Sequence, residues 1–305
     1  MTIGAILGPT ASGKSAVAML VAASTGAEIV SVDSMQVYRG MDVGTAKPSA
    51  DDRQRVPHHM IDVADPSEAY SVARFQEAGR AVIHEVRERG RRVLVVGGSG
   101  LHFRALVDPL VFAPSDPSVR ARFEAMSPAE AVATLLDMDP AAGRHVHLAN
   151  PRRVIRALEV HALTGETPSR RSATPQAAAV RAYLPIEPVA AVGVDPGQRL
   201  GRRVADRLER MLADGLFEEV RALLPRLGAT ARAAVGYREF ARVVSGEWEQ
   251  GYAARRVAEA TTAMARRQRT YHRRDPRITW LEWDDDAVTA ADAAQRTLEE
   301  AGWTS

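Results

Sequence analysis

The 305-residue sequence contains no cysteine, only two lysines and few aromatic residues (5%). The absence of cysteine excludes disulfide frameworks, iron–sulfur clusters, thiolate nucleophiles and zinc sites with cysteine ligands. No apolar run approaches the ~18 residues that span a bilayer, and the first residues lack the basic start of a signal peptide. We therefore expect a cytoplasmic protein, with about two domains of ~100–200 residues each.

The formal net charge of +2 hides an uneven distribution along the chain. Residues 1–112 carry 12 basic and 12 acidic groups, residues 113–280 carry 27 and 19, and the last 25 residues carry one arginine and seven acids. The middle of the chain is suited to a polyanion, although a solvated basic surface gives the same pattern. Of the 40 basic residues only Lys14 and Lys47 are lysines, which points to positions where a compact ammonium group is needed.

The order of hydrophobic segments predicts an α/β fold with a parallel sheet. Strands alternate with helical patterns, and the segments with strand character are Thr2–Leu7, Glu28–Asp33, Arg92–Val96, Val189–Val194 and Ile278–Glu282. Residues 114–181 contain helical stretches but no convincing strand, and Thr164–Ala179 has the composition of a mobile loop. We therefore expect a core formed by 1–113 and 182–305, with a helical insertion domain at 114–181.

A phosphate-binding motif follows the first strand. The residues GPTASGKS match GxxxxGK[ST] and open a helical pattern, which is the context that the motif requires. The loop N–H groups and the helix N-terminus cradle phosphate oxygens, while the lysine reaches the terminal phosphate and the last serine can bind Mg²⁺. We expect a P-loop nucleoside-triphosphate-hydrolase-like core with Mg²⁺ as cofactor. The predicted diphosphate-binding residues are Gly8, Pro9, Thr10, Ala11, Ser12, Gly13, Lys14 and Ser15, with Lys14 and Ser15 also catalytic and Ser15 the metal ligand.

The loop indicates a di- or triphosphate ligand but does not identify the reaction. Nucleotide hydrolases usually place an aspartate at the end of a further strand, whereas Arg92–Val96 is followed by Gly-Gly-Ser. Neither lysine lies in the NKxD motif of GTPases, so a group-transfer enzyme is favoured over a motor or switch. Asp33 closes the second strand, where the carboxyl ends of parallel strands form the ligand crevice. We interpret Asp33 as a general base or part of a Mg²⁺ shell, with a helix cap as the alternative.

Two further groups of polar residues have a structural alternative. His58 and His59 are interpreted as hydrogen-bonding residues, because no third ligand has matching spacing for a metal. Arg152 and Arg156 share one face of a predicted helix, which by itself is typical of a solvated surface.

Several motifs resemble the bacterial tRNA dimethylallyltransferases, also called tRNA isopentenyltransferases. Besides GPTASGKS, they are DSMQVYRGMDVGTAKP at 33–48, VPHHMIDVADPSEAYSVARF at 56–75, GGSGLHFRAL at 97–106, NPRRVIRALEV at 150–160, GYRE at 236–239 and RRQRTYHRR at 266–274. The resemblance covers about residues 4–283 in order. The chain differs at two positions, with Ser99 where the family usually has Thr and His102 where it usually has Tyr.

The resemblance implies transfer of a dimethylallyl group from dimethylallyl diphosphate to the exocyclic amine of an adenosine in tRNA. That adenosine lies next to the anticodon on its 3′ side, and the products are N6-dimethylallyladenosine and diphosphate. The resemblance also implies a phosphate-loop core with a helical insertion, with the tRNA anticodon stem-loop and dimethylallyl diphosphate as partners. No membrane is involved, and we expect a monomer.

The resemblance also assigns site residues. Asp33 is the expected catalytic base, and Gly236-Tyr237-Arg238 provides an aromatic ring and a guanidinium group suited to unstacked RNA bases. The full set of expected tRNA-contacting residues is Asp33, Ser34, Met35, Gln36, Ser99, Arg120, Arg152, Arg153, Val154, Ile155, Arg156, Gly236, Tyr237 and Arg238. A basic helix with Arg266, Arg267, Arg269, Arg273 and Arg274 is suited to the RNA backbone.

Three alternatives remain at this point. An isopentenyltransferase acting on free adenine nucleotides has the same loop but needs neither an insertion nor a basic segment. A P-loop small-molecule kinase would turn over ATP without tRNA. A non-catalytic RNA-binding protein would need neither the intact loop nor Asp33.

Overall fold

The computed structural model describes residues 1–281 and 286–304. Its strands form one sheet in the order β3-β2-β4-β1-β5-β6, and all neighbouring strands are parallel. The strands are β1 Ile3–Leu7, β2 Glu28–Ser31, β3 His58–His59, β4 Val93–Gly97, β5 Val189–Val194 and β6 Ile278–Leu281. The predicted α/β class is confirmed, β3 was not predicted, and Glu282 lies outside the described residues.

The described residues contain fifteen α-helices. The first four are α1 Lys14–Thr25, α2 Ala50–Arg55, α3 Val72–Glu88 and α4 Gly100–Val107. The next five are α5 Pro117–Glu124, α6 Pro128–Met138, α7 Pro151–Thr164, α8 Pro168–Ser172 and α9 Pro175–Arg181. The last six are α10 Leu200–Ala213, α11 Leu216–Leu223, α12 Ala229–Arg232, α13 Tyr237–Val244, α14 Gln250–His272 and α15 Ala287–Glu300.

The chain divides into two compact units. The core unit consists of Met1–Val107 and Glu187–Ser305, and the insertion unit is Asp108–Ile186. The predicted insertion at 114–181 falls inside the second unit, whose helices pack around a small apolar cluster that includes Leu135, Val154 and Leu158.

The central strands β1 and β4 are buried along their whole length, and their mostly apolar residues are typical of a sheet covered on both faces. Along β1, Ile3, Ala5 and Leu7 belong to one hydrophobic cluster and Ile6 to the other. The second cluster includes Trp303, whose indole N–H donates to the Val93 carbonyl oxygen at 2.9 Å. The acidic C-terminal segment therefore carries an apolar face that covers the sheet.

Residues 164–179 do not form the loop that their composition suggested. The side chains of Thr167 and Thr174 cap α8 and α9, and each helix has proline at its first turn. Threonine followed by proline is a helix-start signal. The threonine hydroxyl accepts a hydrogen bond from an N–H of the first helical turn, and proline has no N–H that would lack an acceptor there. The mobile-loop prediction was wrong because it used composition without this positional signal.

No helix in 1–281 or 286–304 is both long and apolar enough to cross a membrane.

Candidate active site

The phosphate loop, residues 8–15, joins β1 to α1. Its backbone adopts left-handed conformations at Ala11 (φ 61°) and Gly13 (φ 92°). Gly8 is required by close packing, since a Cβ there would lie 2.2 Å from the Val194 carbonyl oxygen. The loop wraps around the start of α1, where N–H groups without helical acceptors are available to phosphate oxygens.

Lys14 and Arg207 place two cations at this loop. The Lys14 Nζ lies 3.1 Å from the Pro9 carbonyl oxygen. Burial and the Arg207 cation lower the pKa of Lys14 to about 8, although the Asp33 carboxylate acts in the opposite direction. Burial also lowers the pKa of Arg207, which Asp33 raises. Two cations thus share one carboxylate, and an anionic ligand would neutralise the excess positive charge.

Helices α10 and α14 hold the phosphate loop from outside the motif. The Gln268 Oε1 accepts the Thr10 N–H at 2.8 Å, and the Arg203 Nε donates to the Ala11 carbonyl oxygen at 2.8 Å. His272 is buried and its Nε2 lies 3.1 Å from the Gly98 carbonyl oxygen. The sequence did not predict these contacts, because an arginine-rich helix gives no signal that its glutamine faces the phosphate loop or that its histidine faces the turn after β4.

The arginines of α14 and its C-terminal end divide into two groups. The Asp195 carboxylate accepts from Arg269 at 2.7 Å and from Arg273 at 3.3 Å. The other three side chains are exposed, and they are Arg266, Arg267 and Arg274. Among residues 1–281 and 286–304, only these three arginines of the predicted basic surface have no intramolecular ion pair.

Asp33 lies two residues beyond β2 with its side chain half-buried. Its Oδ1 accepts the Met35 N–H at 2.9 Å in a turn, and none of the described helices begins there, so the helix-cap alternative is wrong. Asp33 also lines a cavity of about 410 Å³ together with Lys14, Ser15 and Arg207. The fold therefore brings the three predicted catalytic residues to one place, because β1 and β2 end at the same edge of the sheet.

The residues after Asp33 are held by internal hydrogen bonds. Ser34, Met35 and Gln36 are all partly buried. The Gln36 Oε1 accepts the Ser31 hydroxyl at 2.7 Å, and its Nε2 donates to the Thr45 carbonyl oxygen at 3.2 Å. The Gln36 amide thus ties the residues after Asp33 to β2 and to Thr45.

Lys47 is buried and fully engaged, unlike Lys14. Its Nζ donates to the Tyr38 carbonyl oxygen at 2.6 Å, to Asp42 at 2.7 Å and to Asp62 at 2.5 Å. Burial alone would raise the pKa of Asp62, but hydrogen bonds from Lys47 and Arg53 lower it. The second lysine therefore ties residues 38–62 together and has no spare donor for a phosphate group.

The two adjacent histidines make structural hydrogen bonds, as predicted. The His59 Nε2 lies 2.6 Å from a Glu28 oxygen that also accepts from Arg89. The His58 Nδ1 lies 2.7 Å from the Val56 carbonyl oxygen. Within 1–281 and 286–304 no three His, Cys, Asp or Glu side chains are grouped to hold a metal ion.

Ser99 and His102 form a hydrogen-bonded pair beside Asp33. The Ser99 N–H donates to the Val32 carbonyl oxygen at 3.2 Å, and its Oγ lies 2.7 Å from the His102 Nδ1. Burial lowers the pKa of His102, while the Asp33 carboxylate raises it. The two positions at which the chain departs from the resembled family thus contact each other.

A buried carboxylate binds two of the predicted tRNA-contacting arginines. Glu159 accepts from Arg120 at 2.8 Å and from Arg156 at 2.8 Å, and it also accepts the Ser115 hydroxyl at 2.7 Å. Burial alone would raise the pKa of Glu159, but these hydrogen bonds lower it to about 2. Arg156 also donates to the Ala113 carbonyl oxygen at 2.7 Å. Arg156 is therefore a structural residue of the insertion unit.

The remaining residues predicted on this helix differ in exposure. Val154 is 1% exposed and lies in the apolar cluster of the insertion unit, so its side chain has a packing role in this structure and its expected tRNA contact stays a prediction. Ile155 is partly buried, and Arg152 and Arg153 are exposed. The helix period explains the difference, since successive residues point in directions about 100° apart.

Tyr237 does not present a free aromatic ring. Its side chain is fully buried, and its hydroxyl donates to Glu219 at 2.5 Å. Burial raises the pKa of Tyr237, and the Glu219 carboxylate adds to the increase. The same carboxylate accepts backbone N–H groups of residues 42, 43 and 44 at 2.7–3.0 Å. The ring anchors the loop beside the site and is not exposed for an RNA base in this structure, so the tRNA contact expected of Tyr237 stays a prediction.

The neighbours of Tyr237 have different environments. Gly236 is buried, with φ 95°, a backbone conformation that favours glycine. Arg238 is exposed, and its guanidinium contacts Glu239. Only Arg238 of this triplet offers a side chain at the surface.

A larger cleft of about 920 Å³ also borders the phosphate loop. Its cationic lining residues are Lys14, Lys47, Arg53, Arg203, Arg207 and Arg210. The same cleft is lined by Asp42, Asp62, Asp206 and Asp214, and Lys47 and Arg53 are paired with Asp62. The cations that remain for an anionic ligand are therefore those nearest the phosphate loop, Lys14 and Arg207.

Comparisons with known proteins identify similar chains. A family model described as IPP transferase matches residues 36–275. A tRNA dimethylallyltransferase from Bifidobacterium longum is 42% identical over 287 residues, which are 91% of this chain and 85% of that protein. A second relative, from Kineococcus radiotolerans and with the same name, is 43% identical over 309 residues and covers 97% and 95% of the two chains.

Two solved structures are also similar to this chain. The crystal structure of the full-length tRNA isopentenylpyrophosphate transferase from Bacillus halodurans has a TM-score of 0.69 at 32% identity, and the alignment covers 98% of this chain and 97% of that chain. A eukaryotic dimethylallyltransferase acting on tRNA has a TM-score of 0.79 at 24% identity, with 96% and 78% of the chains covered, and it shares the fold.

Proposed function

The chain belongs to the tRNA dimethylallyltransferase family, and we propose on that premise that it transfers a dimethylallyl group from dimethylallyl diphosphate to tRNA. The acceptor is the exocyclic amine of the adenosine on the 3′ side of the anticodon. The products are N6-dimethylallyladenosine and diphosphate. The observation that carries the proposal is the position of Asp33, Lys14 and Ser15 in the wall of one cavity.

In this mechanism Asp33 is the general base. The adenine amine is a poor nucleophile because its lone pair is delocalised into the ring. A bond forms between that nitrogen and the first carbon of the dimethylallyl group as the bond from carbon to diphosphate oxygen breaks. The amine proton passes to the Asp33 carboxylate, and such assistance typically contributes ~10²–10⁴-fold in rate.

The diphosphate is bound by the phosphate loop. Its developing negative charge is stabilised by the loop N–H groups and by Lys14, with Arg207 as a second cation at the same cavity. The lowered pKa of Lys14 supports this role, since an arriving polyanion would favour the charged ammonium form.

Mg²⁺ fits the oxygen donors at the edge of the loop. The exposed Ser15 hydroxyl and the Asp33 carboxyl group border the same cavity, and Mg²⁺ usually combines one or two protein oxygens with phosphate oxygens and water. Ser15 would hold the ion, which would offset charge on the diphosphate.

The tRNA approaches this edge with its target base out of the stack. The exposed arginines of each unit contact the tRNA backbone, because they do not first have to break an ion pair with Asp195 or Glu159. They include Arg152, Arg153, Arg266, Arg267 and Arg274. Ser99 lies beside Asp33 and therefore near the acceptor base.

The test is prenyl transfer with purified protein, Mg²⁺ and labelled dimethylallyl diphosphate. Bulk unmodified tRNA, AMP and ATP are supplied as acceptors in separate reactions. We expect label in tRNA alone. Label in AMP or ATP would assign the chain to free-nucleotide transfer, and ATP turnover without any acceptor labelling would indicate a kinase or hydrolase.

A further inference from the structure

We propose that His102 is a positioning residue that fixes the Ser99 hydroxyl beside Asp33 for prenyl transfer. This inference rests on the proposed function and adds a residue pair to it. The pair connects the turn after β4 with the first turn of α4, and Asp33 lies on the neighbouring strand end.

The backbone places Ser99 next to Asp33. The Ser99 N–H donates to the carbonyl oxygen of Val32, the residue that precedes Asp33, at 3.2 Å. A Cβ at Gly97 would lie 2.5 Å from the same oxygen, so the two strand ends are in close contact. The Ser99 hydroxyl is thus carried on a rigid part of the backbone.

The His102 ring is held in one position. It is 8% exposed, and it packs edge-on against Phe75 with ring centroids 4.6 Å apart and an interplanar angle of 79°. Its Nδ1 lies 2.7 Å from the Ser99 Oγ, an ordinary hydrogen-bond distance for a hydroxyl group. A buried ring with one fixed nitrogen can therefore select a single rotamer of the serine.

This contact matters because a serine hydroxyl is conformationally free. The hydroxyl has one donor and two acceptor positions, and its hydrogen rotates to suit its surroundings. The bond to Nδ1 occupies one of these positions in either ring tautomer, and the remaining ones point away from the ring. Burial lowers the pKa of His102, which favours the neutral ring in this role. A fixed hydroxyl would contact the acceptor base without further ordering.

The test compares four variants with the wild type in single-turnover prenyl transfer to tRNA. Ser99→Ala removes the hydroxyl, His102→Phe removes the nitrogens but keeps a flat ring against Phe75, and the double variant removes both. His102→Asn is the matched control, since its amide group can occupy the place of Nδ1. Loss of one hydrogen bond is worth about 0.5–1.5 kcal/mol, or roughly 2- to 10-fold.

We expect both single variants to lower the single-turnover rate constant by about 2- to 10-fold, with little change in the dimethylallyl diphosphate concentration that gives half of the maximal rate. The double variant should be no slower than Ser99→Ala, because His102 acts through Ser99. His102→Asn should recover part of the rate. Multiplying effects in the double variant, or a wild-type rate for His102→Phe, would overturn the inference.

A second measurement separates this inference from the proposed function. In the isotope-labelled protein without substrates, the ring ¹⁵N signals of His102 are identified by their loss in His102→Phe. They should move in Ser99→Ala, and unchanged signals would refute the hydrogen bond itself. An inactive wild type would instead refute the proposed function, because the ¹⁵N result does not depend on turnover. Unfolding curves of all variants verify that they remain folded.

Discussion

Positive charge is paired with carboxylates in the arginine cluster of the insertion unit but not in the phosphate-loop region of the core. In the insertion unit, Arg120 and Arg156 are neutralised by the buried Glu159 carboxylate. At the phosphate loop, neither Lys14 nor Arg207 makes an ion pair within 4.0 Å in the described part of the chain.

The difference shows how to separate binding cations from structural ones. A cation that already has a buried carboxylate loses that partner if it turns to a ligand, and breaking such a pair is strongly unfavourable. A cation held beside another cation gains from an incoming anion. The two lysines repeat the contrast within the core, since Lys47 is paired with Asp42 and Asp62.

The largest expected effect comes from removing the base. Asp33→Ala should lower single-turnover transfer by about 10²–10⁴-fold, because the amine proton then has no acceptor. Asp33→Asn is the matched control, since its amide oxygen can still accept the Met35 N–H and preserve the turn. Binding of tRNA, measured by filter retention, should change little in both variants. Near-normal transfer by Asp33→Asn would show that another group is the base.

Substitution of Lys14 is expected to change the transfer rate, whereas substitution of Lys47 is expected to change the stability of the fold. Lys14→Met should reduce transfer by about 10²-fold through lost stabilisation of diphosphate, with an unchanged free energy of unfolding. Lys47→Met should lower the free energy of unfolding by about 2 kcal/mol, because the Asp62 Oδ1 and the Tyr38 carbonyl oxygen lose the Lys47 donor while Arg53 still binds the Asp62 Oδ2. Urea denaturation and transfer kinetics measure both. Equal destabilisation by the two substitutions would break the distinction between them.

The buried carboxylate of the insertion unit should matter for stability. Glu159→Gln leaves Arg120 and Arg156 without a counter-charge and should destabilise the protein by about 3 kcal/mol at neutral pH. The pKa of Glu159 in the folded state is about 2 against an ordinary 4.5, so its contribution is complete above 4.5 and is lost as pH falls towards 2. The difference between wild type and variant should therefore shrink in that range of pH. A constant difference would contradict the lowered pKa.

The smallest effects are expected from the exposed arginines. Arg152→Ala and Arg153→Ala should each weaken tRNA binding a few-fold and reduce the slope of log K against log salt by about one, without loss of stability. Arg156→Ala, the control on the same helix, should mainly destabilise the insertion unit. A salt slope that falls only in Arg156→Ala would reverse this assignment.

Local patterns were sufficient for the parallel sheet, most helices and the phosphate loop. They failed at α8 and α9, where threonine-proline starts were hidden in a polar composition, and at β3, which has only two residues. In the site, the patterns identified Lys14, Ser15 and Asp33, but gave no indication of Gln268 and Arg203 behind the loop. Gln268 lies 258 residues from Thr10, and Arg203 lies 192 residues from Ala11. The periodicity of a sequence carries no information about contacts at such separations.

The sequence by itself determined the α/β class, and it predicted the phosphate-binding loop and the catalytic residues. These follow from short-range rules, since strand burial, helix starts and a glycine-rich loop depend on near neighbours. Only the tertiary structure decided which charges are free, because ion pairing depends on packing between distant segments. It buried Tyr237 against Glu219 and neutralised Arg156 with Glu159, and it left Lys14 and Arg207 together near the Asp33 carboxylate.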